Sequence, residues 1–194
     1  MRIGLVSYGA GNVRSVQNAL ELLGCEVVTS SSIEELESAE KIVFPGVGEA
    51  SSAMSAINSA GLGEWLTSLQ KPYLGICLGM QVLFERSAER NTACLGILEG
   101  SVTTFEDVKV PHMGWNRIDI GTPSPLFDGI PDGSYFYFAH SYCAPLSLQT
   151  LATTTHGRQF TCAVRTGNKW GVQFHPEKSG TLGLSLLRNF IDQC

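Results

Sequence analysis

Three short stretches carry residue types that could do chemistry together. In Pro72-Tyr73-Leu74-Gly75-Ile76-Cys77-Leu78-Gly79-Met80-Gln81 an apolar run ends at a cysteine, with glycine two residues before and two after it. In Gly171-Val172-Gln173-Phe174-His175-Pro176-Glu177-Lys178 a strand-like run ends at a histidine, followed two residues on by a carboxylate. In Pro45-Gly46-Val47-Gly48 a proline and two glycines leave backbone N–H groups uncovered after another apolar run. A thiol of ordinary pKa is only a few per cent ionised at neutral pH, so a nucleophilic cysteine gains from an imidazole that takes its proton. A carboxylate beside that imidazole fixes its tautomer, and backbone N–H donors stabilise an oxyanion. Each stretch alone also fits an ordinary loop or a buried cysteine. Their combination points to acyl transfer, with Cys77 as nucleophile, His175 as base and Glu177 as orienter.

Positioning such groups requires sharp strand ends. The spacing around Cys77 predicts a strand, a tight turn and a helix over Leu78 to Glu85, with Gly75 and Gly79 small because the turn is crowded. The Leu78 N–H would then face the developing oxyanion at the helix start. The chain opens with a predicted strand at Arg2 to Ser7, a helix face of Val13, Val16, Leu20 and Leu23, a left-handed stop at Gly24 and a strand at Cys25 to Thr29. Ser32 and Glu35 have the spacing of a capping box, and Lys41 to Phe44 reads as the third strand. Helices are predicted around Ala50, Met54 and Ile57 and around Leu62, Trp65, Leu66 and Leu69. Beyond the elbow the texture becomes mostly short strands, with a hairpin at Gly167-Asn168, until a final helix bearing Leu182, Leu186 and Phe190. The predicted fold is α/β: a mixed, largely parallel central sheet flanked by helices, flavodoxin-like, with a β-rich second half. One domain is expected over residues 1–194.

Composition narrows the function classes. With 194 residues the chain can bury roughly 70% of its unfolded surface without a metal or disulfides. A net charge of −5 with no basic run argues against a nucleic-acid groove. No apolar stretch approaches the roughly 20 residues that span a bilayer, and a cytoplasmic protein is expected. The six cysteines are scattered, without C-x-x-C pairs or histidines at ligand spacing, so neither zinc nor a disulfide framework is predicted. Gly9-Ala10-Gly11 lacks the third glycine and the acid of a dinucleotide fingerprint.

The three stretches resemble the class I, triad-type, glutamine amidotransferases, and the resemblance covers the whole chain. Within that family it is strongest to the glutaminase subunits of imidazole glycerol phosphate synthases, which serve histidine biosynthesis. Tyr8-Gly9-Ala10-Gly11-Asn12, Val110-Pro111-His112-Met113-Gly114-Trp115-Asn116, Tyr137-Phe138-Ala139-His140-Ser141-Tyr142 and Lys178-Ser179 carry that part of the resemblance. It implies oxyanion donors at Val47 and Leu78, and substrate contacts from Gly48, Gln81, Ser141 and Tyr142. It also implies a partner, a (β/α)8-barrel cyclase that receives the ammonia in a heterodimer, docked against Asn12, Pro111, Met113, Gly114, Trp115, Asn116 and Lys178. No cofactor or metal is implied. His140 reads as a core or supporting residue in an aromatic strand. Departures from the family pattern fall at His156 and Cys143. The competing readings are a glutaminase feeding another synthase, such as anthranilate synthase, a catalytically silent scaffold, and a redox or hydrolase elbow cysteine with no need for Glu177.

Overall fold

A computed structural model of the protein describes residues 1–9 and 12–194; Ala10 and Gly11, within the predicted loop after the first strand, lie outside the described residues. Strands β1 (Arg2–Val6), β2 (Glu26–Ser30), β3 (Lys41–Gly46) and β4 (Tyr73–Cys77) alternate with helices α1 (Val13–Leu22), α2 (Ile33–Glu37), α3 (Ala50–Ser59) and α4 (Leu62–Ser68). A one-turn helix α5 (Leu78–Gln81) follows β4 directly. The second half contributes β5 (Phe84–Ser87), β6 (Thr92–Ala93), β7 (Leu98–Thr104), β8 (His112–Arg117), β9 (Asp119–Ile120), β10 (Tyr135–His140), β11 (Tyr142–Cys143), β12 (Thr150–His156), β13 (Arg158–Thr166) and β14 (Lys169–Val172). Helix α6 (Gly180–Gln193) closes the chain.

The central sheet runs in the order β2-β1-β3-β4-β14-β13-β12-β9. It is parallel from β2 through β14 and antiparallel beyond. Two smaller sheets, β10-β8 and β11-β7-β5-β6, account for the β-rich second half. Parallel strands buried on both faces need continuous apolar sequence, and β3 and β4 supply it. Alternate side chains feed two cores. Val43, Leu74 and Ile76 join the face covered by α1 and α6, while Ile42, Phe44 and Tyr73 join the face covered by α2, α3, α4 and α5.

The order of the sheet matters for the site. Strands β3, β4 and β14 are adjacent and parallel, with Gly46 opposite Cys77 and Val172 opposite Ile76. Their carboxyl ends therefore bring the Pro45–Gly48 loop, Cys77 and the approach to His175 side by side, where ligands of open α/β sheets commonly bind.

Two local expectations fail. The elbow helix stops at Gln81 rather than Glu85, and Phe84–Ser87 pairs as a strand with β7. A short apolar run fits either period, and pairing with β7 decides it. Ser32 does precede α2, but its side chain makes no capping bond; its N–H is held instead by the Ser30 hydroxyl at 2.9 Å. The left-handed Gly24 (φ 84°) and the Gly167 hairpin between β13 and β14 match their signals.

Candidate active site

Cys77 is the last residue of β4 and adopts φ 54° and ψ −105°, a conformation that a non-glycine side chain enters only under strain. The strain turns the chain at once into α5, and the flanking glycines make room. A Cβ on Gly75 would collide with the Gly79 carbonyl, and one on Gly79 with the Phe44 carbonyl. The thiol is 5% exposed. Its sulfur lies 3.5 Å from the Gln173 amide nitrogen and 3.9 Å from the Ala139 carbonyl. Leu78 opens α5, where first-turn N–H groups lack helical acceptors.

His175 follows the end of β14. Its N–H donates to the Tyr137 carbonyl at 2.8 Å. The Ser179 hydroxyl donates to the His175 carbonyl at 2.6 Å and accepts from the Tyr137 N–H at 2.9 Å, clamping the turn. Nδ1 meets Glu177 Oε1 at 2.8 Å, which leaves Nε2 buried with no hydrogen-bond partner among the described residues. Glu177 is fully buried and also accepts a bond from the Asn12 amide. Burial alone would disfavour the imidazolium. The nearness of Cys77 and the bonded, negatively charged Glu177 outweigh it and raise the His175 pKa to about 10.

A cleft of about 200 Å³ opens beside the thiol, lined by Val47, Gly48, Cys77, Leu78, Gln81, Ser141 and Tyr142 among others. The structure thus gathers every residue expected to bind substrate or an oxyanion. The Val47 carbonyl is reached by the Tyr8 hydroxyl at 3.4 Å. Gln81 donates to the Tyr142 carbonyl and to Gln173 Oε1, each at 2.9 Å.

Pro111 and Met113 reach the mouth of this cleft. Met113 and Trp115 are 65% and 57% exposed, and Gly114, at φ 129°, sits between them. Trp115 meets the Tyr137 ring edge-on at 6.2 Å, and the Lys178 ammonium lies 6.0 Å from the same ring. Two residues expected on this face point elsewhere. Asn12 turns to Glu177, and the half-buried Asn116 turns to His112 and the Thr155 carbonyl.

Three residues in or beside the cleft carry no role from the sequence alone. Gln173 stands two residues before His175, just past the end of β14, a spacing that sequence alone carries. Tyr8, stacked on Phe44 at 5.3 Å, and Glu89, which lines the cleft and accepts from the Ala50 N–H at 2.6 Å, arrive through long-range folding.

A strained cysteine ends one strand of this α/β sheet, and a buried His–Glu pair lies just past the end of the next. Solved structures share this fold: one described as a glutamine amidotransferase is 21% identical with a TM-score of 0.75, covering 98% of this chain and 97% of its own. PurLQS from Thermotoga maritima is 19% identical with a TM-score of 0.76 over 98% of this chain and 97% of that one. The family model described as Glutamine amidotransferase class-I matches residues 5–194, and the chain belongs to that family. Among curated relatives, the imidazole glycerol phosphate synthase subunit HisH of Thiobacillus denitrificans is 48% identical over 97% of this chain and 90% of its own length. The subunit of the same name from Methanocaldococcus jannaschii is 47% identical over 98% of both.

Proposed function

We propose that this protein is the glutaminase subunit of imidazole glycerol phosphate synthase, acting as one glutamine amidotransferase domain over residues 1–194. The observation that carries the chemistry is the His175 Nδ1–Glu177 bond, which leaves the ring's other nitrogen buried and unpartnered among the described residues and so open to exchange a proton with Cys77 in this reading. Identity of 47–48% to subunits of that name supports the pathway.

In this reading the Cys77 thiolate attacks the carboxamide carbon of glutamine. The C=O electrons move onto oxygen, where the Val47 and Leu78 N–H groups receive the charge; one such donor is worth roughly 3–4 kcal/mol of barrier. Collapse expels the amide nitrogen, which takes a proton from imidazolium His175 and leaves as ammonia. His175, neutral again, removes a proton from water, which attacks the thioester. The second intermediate expels Cys77 as thiolate and gives the carboxylic acid, which loses its proton to solvent as glutamate, so that thiolate and imidazolium His175 are restored. Gly48, Gln81, Ser141 and Tyr142 hold the amino-acid end of the substrate. Glu89 adds a negative charge at the cleft, suited to an α-ammonium group.

Ammonia passes to a cyclase subunit, a (β/α)8 barrel paired with this chain as a heterodimer. It docks on the face of Pro111, Met113, Gly114, Trp115 and Lys178, with Asn12 and Asn116 behind it. The cyclase uses the ammonia to make imidazole glycerol phosphate and aminoimidazole carboxamide ribotide. Cys77→Ala in the assembled synthase tests the reading. Glutamine-dependent synthesis is expected to vanish while ammonia-dependent synthesis persists; unchanged glutamine-dependent synthesis would reduce the subunit to a scaffold.

A further inference from the structure

From His140 in the cleft wall, His112 and Asn116 continue a hydrogen-bonded row whose proton positions are fixed from both ends. Asn116 Oδ1 accepts from the Arg117 N–H at 2.8 Å and its Nδ2 donates to the Thr155 carbonyl at 2.9 Å, so the amide has one orientation. Its Nδ2 also faces His112 Nε2 at 3.1 Å, and that nitrogen must therefore be bare. His112 then carries its proton on Nδ1 and donates it to His140 Nε2, 2.9 Å away. His140 in turn carries its proton on Nδ1 and donates to the Tyr142 carbonyl at 2.7 Å. Main-chain groups at both ends cannot exchange donor and acceptor roles. The pair has one arrangement, two neutral Nδ1–H rings.

The row continues into the cleft. The Tyr142 carbonyl also accepts from Gln81, Gln81 donates to Gln173, and Gln173 reaches the Cys77 sulfur. We infer that His112 and His140 are positioning residues, a relay that ties Asn116, on the strand bearing exposed Met113 and Trp115, to the Tyr142–Gln81 wall of the cleft.

An added proton has no place in this row. On His112 it sets a second donor against the Asn116 amide. On His140 it meets the His112 Nδ1–H, and moving that proton along only transfers the conflict to Asn116. Asn116 can yield only by turning over, which breaks its bonds to Thr155 and Arg117. The surroundings reinforce the neutral state. His156 stacks on His112 at 4.3 Å with its own Nε2 2.8 Å from the Lys109 carbonyl, and His175 is the other titratable neighbour of His140. Phe105, Phe138 and Phe160 form the remaining walls. Burial holds both rings well below the ordinary histidine range.

Only the kinetic arm of the test rests on the glutaminase reading. Nitrogen-15 spectra of histidine-labelled protein are expected to show both rings neutral with bare Nε2 between about pH 8 and about pH 5. Asn116→Asp replaces a donor by an acceptor and should draw a proton onto His112 Nε2. His112→Gln interrupts the row without adding charge. Both should move the Cys143 amide resonance, which reports the Tyr142 carbonyl, and raise KM for glutamine about three- to tenfold with kcat within about twofold, as expected for loss of one hydrogen bond in substrate holding. An Nε2-protonated ring in the wild type, or an unmoved Cys143 amide in both variants, overturns the relay. A moved amide with unchanged KM overturns its link to the cleft. A moved amide in a protein that never hydrolyses glutamine supports the relay and defeats the glutaminase reading.

Discussion

Glu177 does more in this site than balance a charge. Its Oε1 holds His175 Nδ1 and receives Asn12, so the imidazole can rotate neither away from the thiol nor into the wrong tautomer. Glu177→Gln keeps the size but supplies an amide that can present a donor to Nδ1. The expected result is a fall of roughly two to four orders of magnitude in kcat for glutamine hydrolysis with little change in KM. The same variant should alter pH-dependent stability. A His175 pKa raised in the folded state means that its contribution is complete below the unfolded value near 6.5 and is lost as pH climbs through about 10. Removing Glu177 should bring that alkaline loss to lower pH, which thermal unfolding followed across the range would reveal. The elbow at Cys77 and the pairing of His175 with Glu177 were legible in sequence because each depends on neighbours within a few residues. Asn12 beside Glu177 and Gln173 beside Cys77 were not, since those contacts join segments far apart in the chain.

At the scale of elements, the elbow depends on two backbones approaching where no side chain fits. Gly79→Ala would drive a methyl into the Phe44 carbonyl, an atom that cannot swing aside, and should destabilise by about 3 kcal/mol or more. Gly63→Ala, in α4, meets only the Asn58 side-chain oxygen at 3.3 Å and Ile57 Cγ2 at 3.9 Å. It should lie within about 0.5 kcal/mol of wild type or gain slightly, because alanine favours helices. Denaturant unfolding of the pair checks both. Parallel pairing of β5 with β7 ended the elbow helix early, and no local pattern at Phe84–Ser87 announces a partner fourteen residues on. The opening β-α-β unit was legible because periodicity and a glycine stop are local signals.

The whole molecule sets three adjacent strand ends against a histidine-rich second layer, and that layer gives it an acid weakness. His112 and His140 are held neutral, with pKa values lowered to about 4 and about 3, burial being the main cause. The unfolded chain takes up these protons near pH 6.5, so stability is intact above that value and declines as pH falls toward the folded values. Denaturation midpoints should therefore drop between about pH 6.5 and about pH 4 by more than in His140→Gln, where one of the two sites is gone. A parallel sheet was implied by the opening β-α-β unit, but not the strand order that makes the site, in which β14 inserts beside β4 from almost a hundred residues away. No helix among the described residues is long and apolar enough to cross a membrane.

Glutamine hydrolysis through Cys77 is read out by the release of glutamate. Purified wild-type protein and Cys77→Ala would be supplied with glutamine, alone and with a histidine-pathway cyclase plus its nucleotide ligand. The wild type is expected to release glutamate at a rate that rises with the liganded cyclase, and Cys77→Ala to release none above background. Equal release from both proteins would contradict hydrolysis through Cys77.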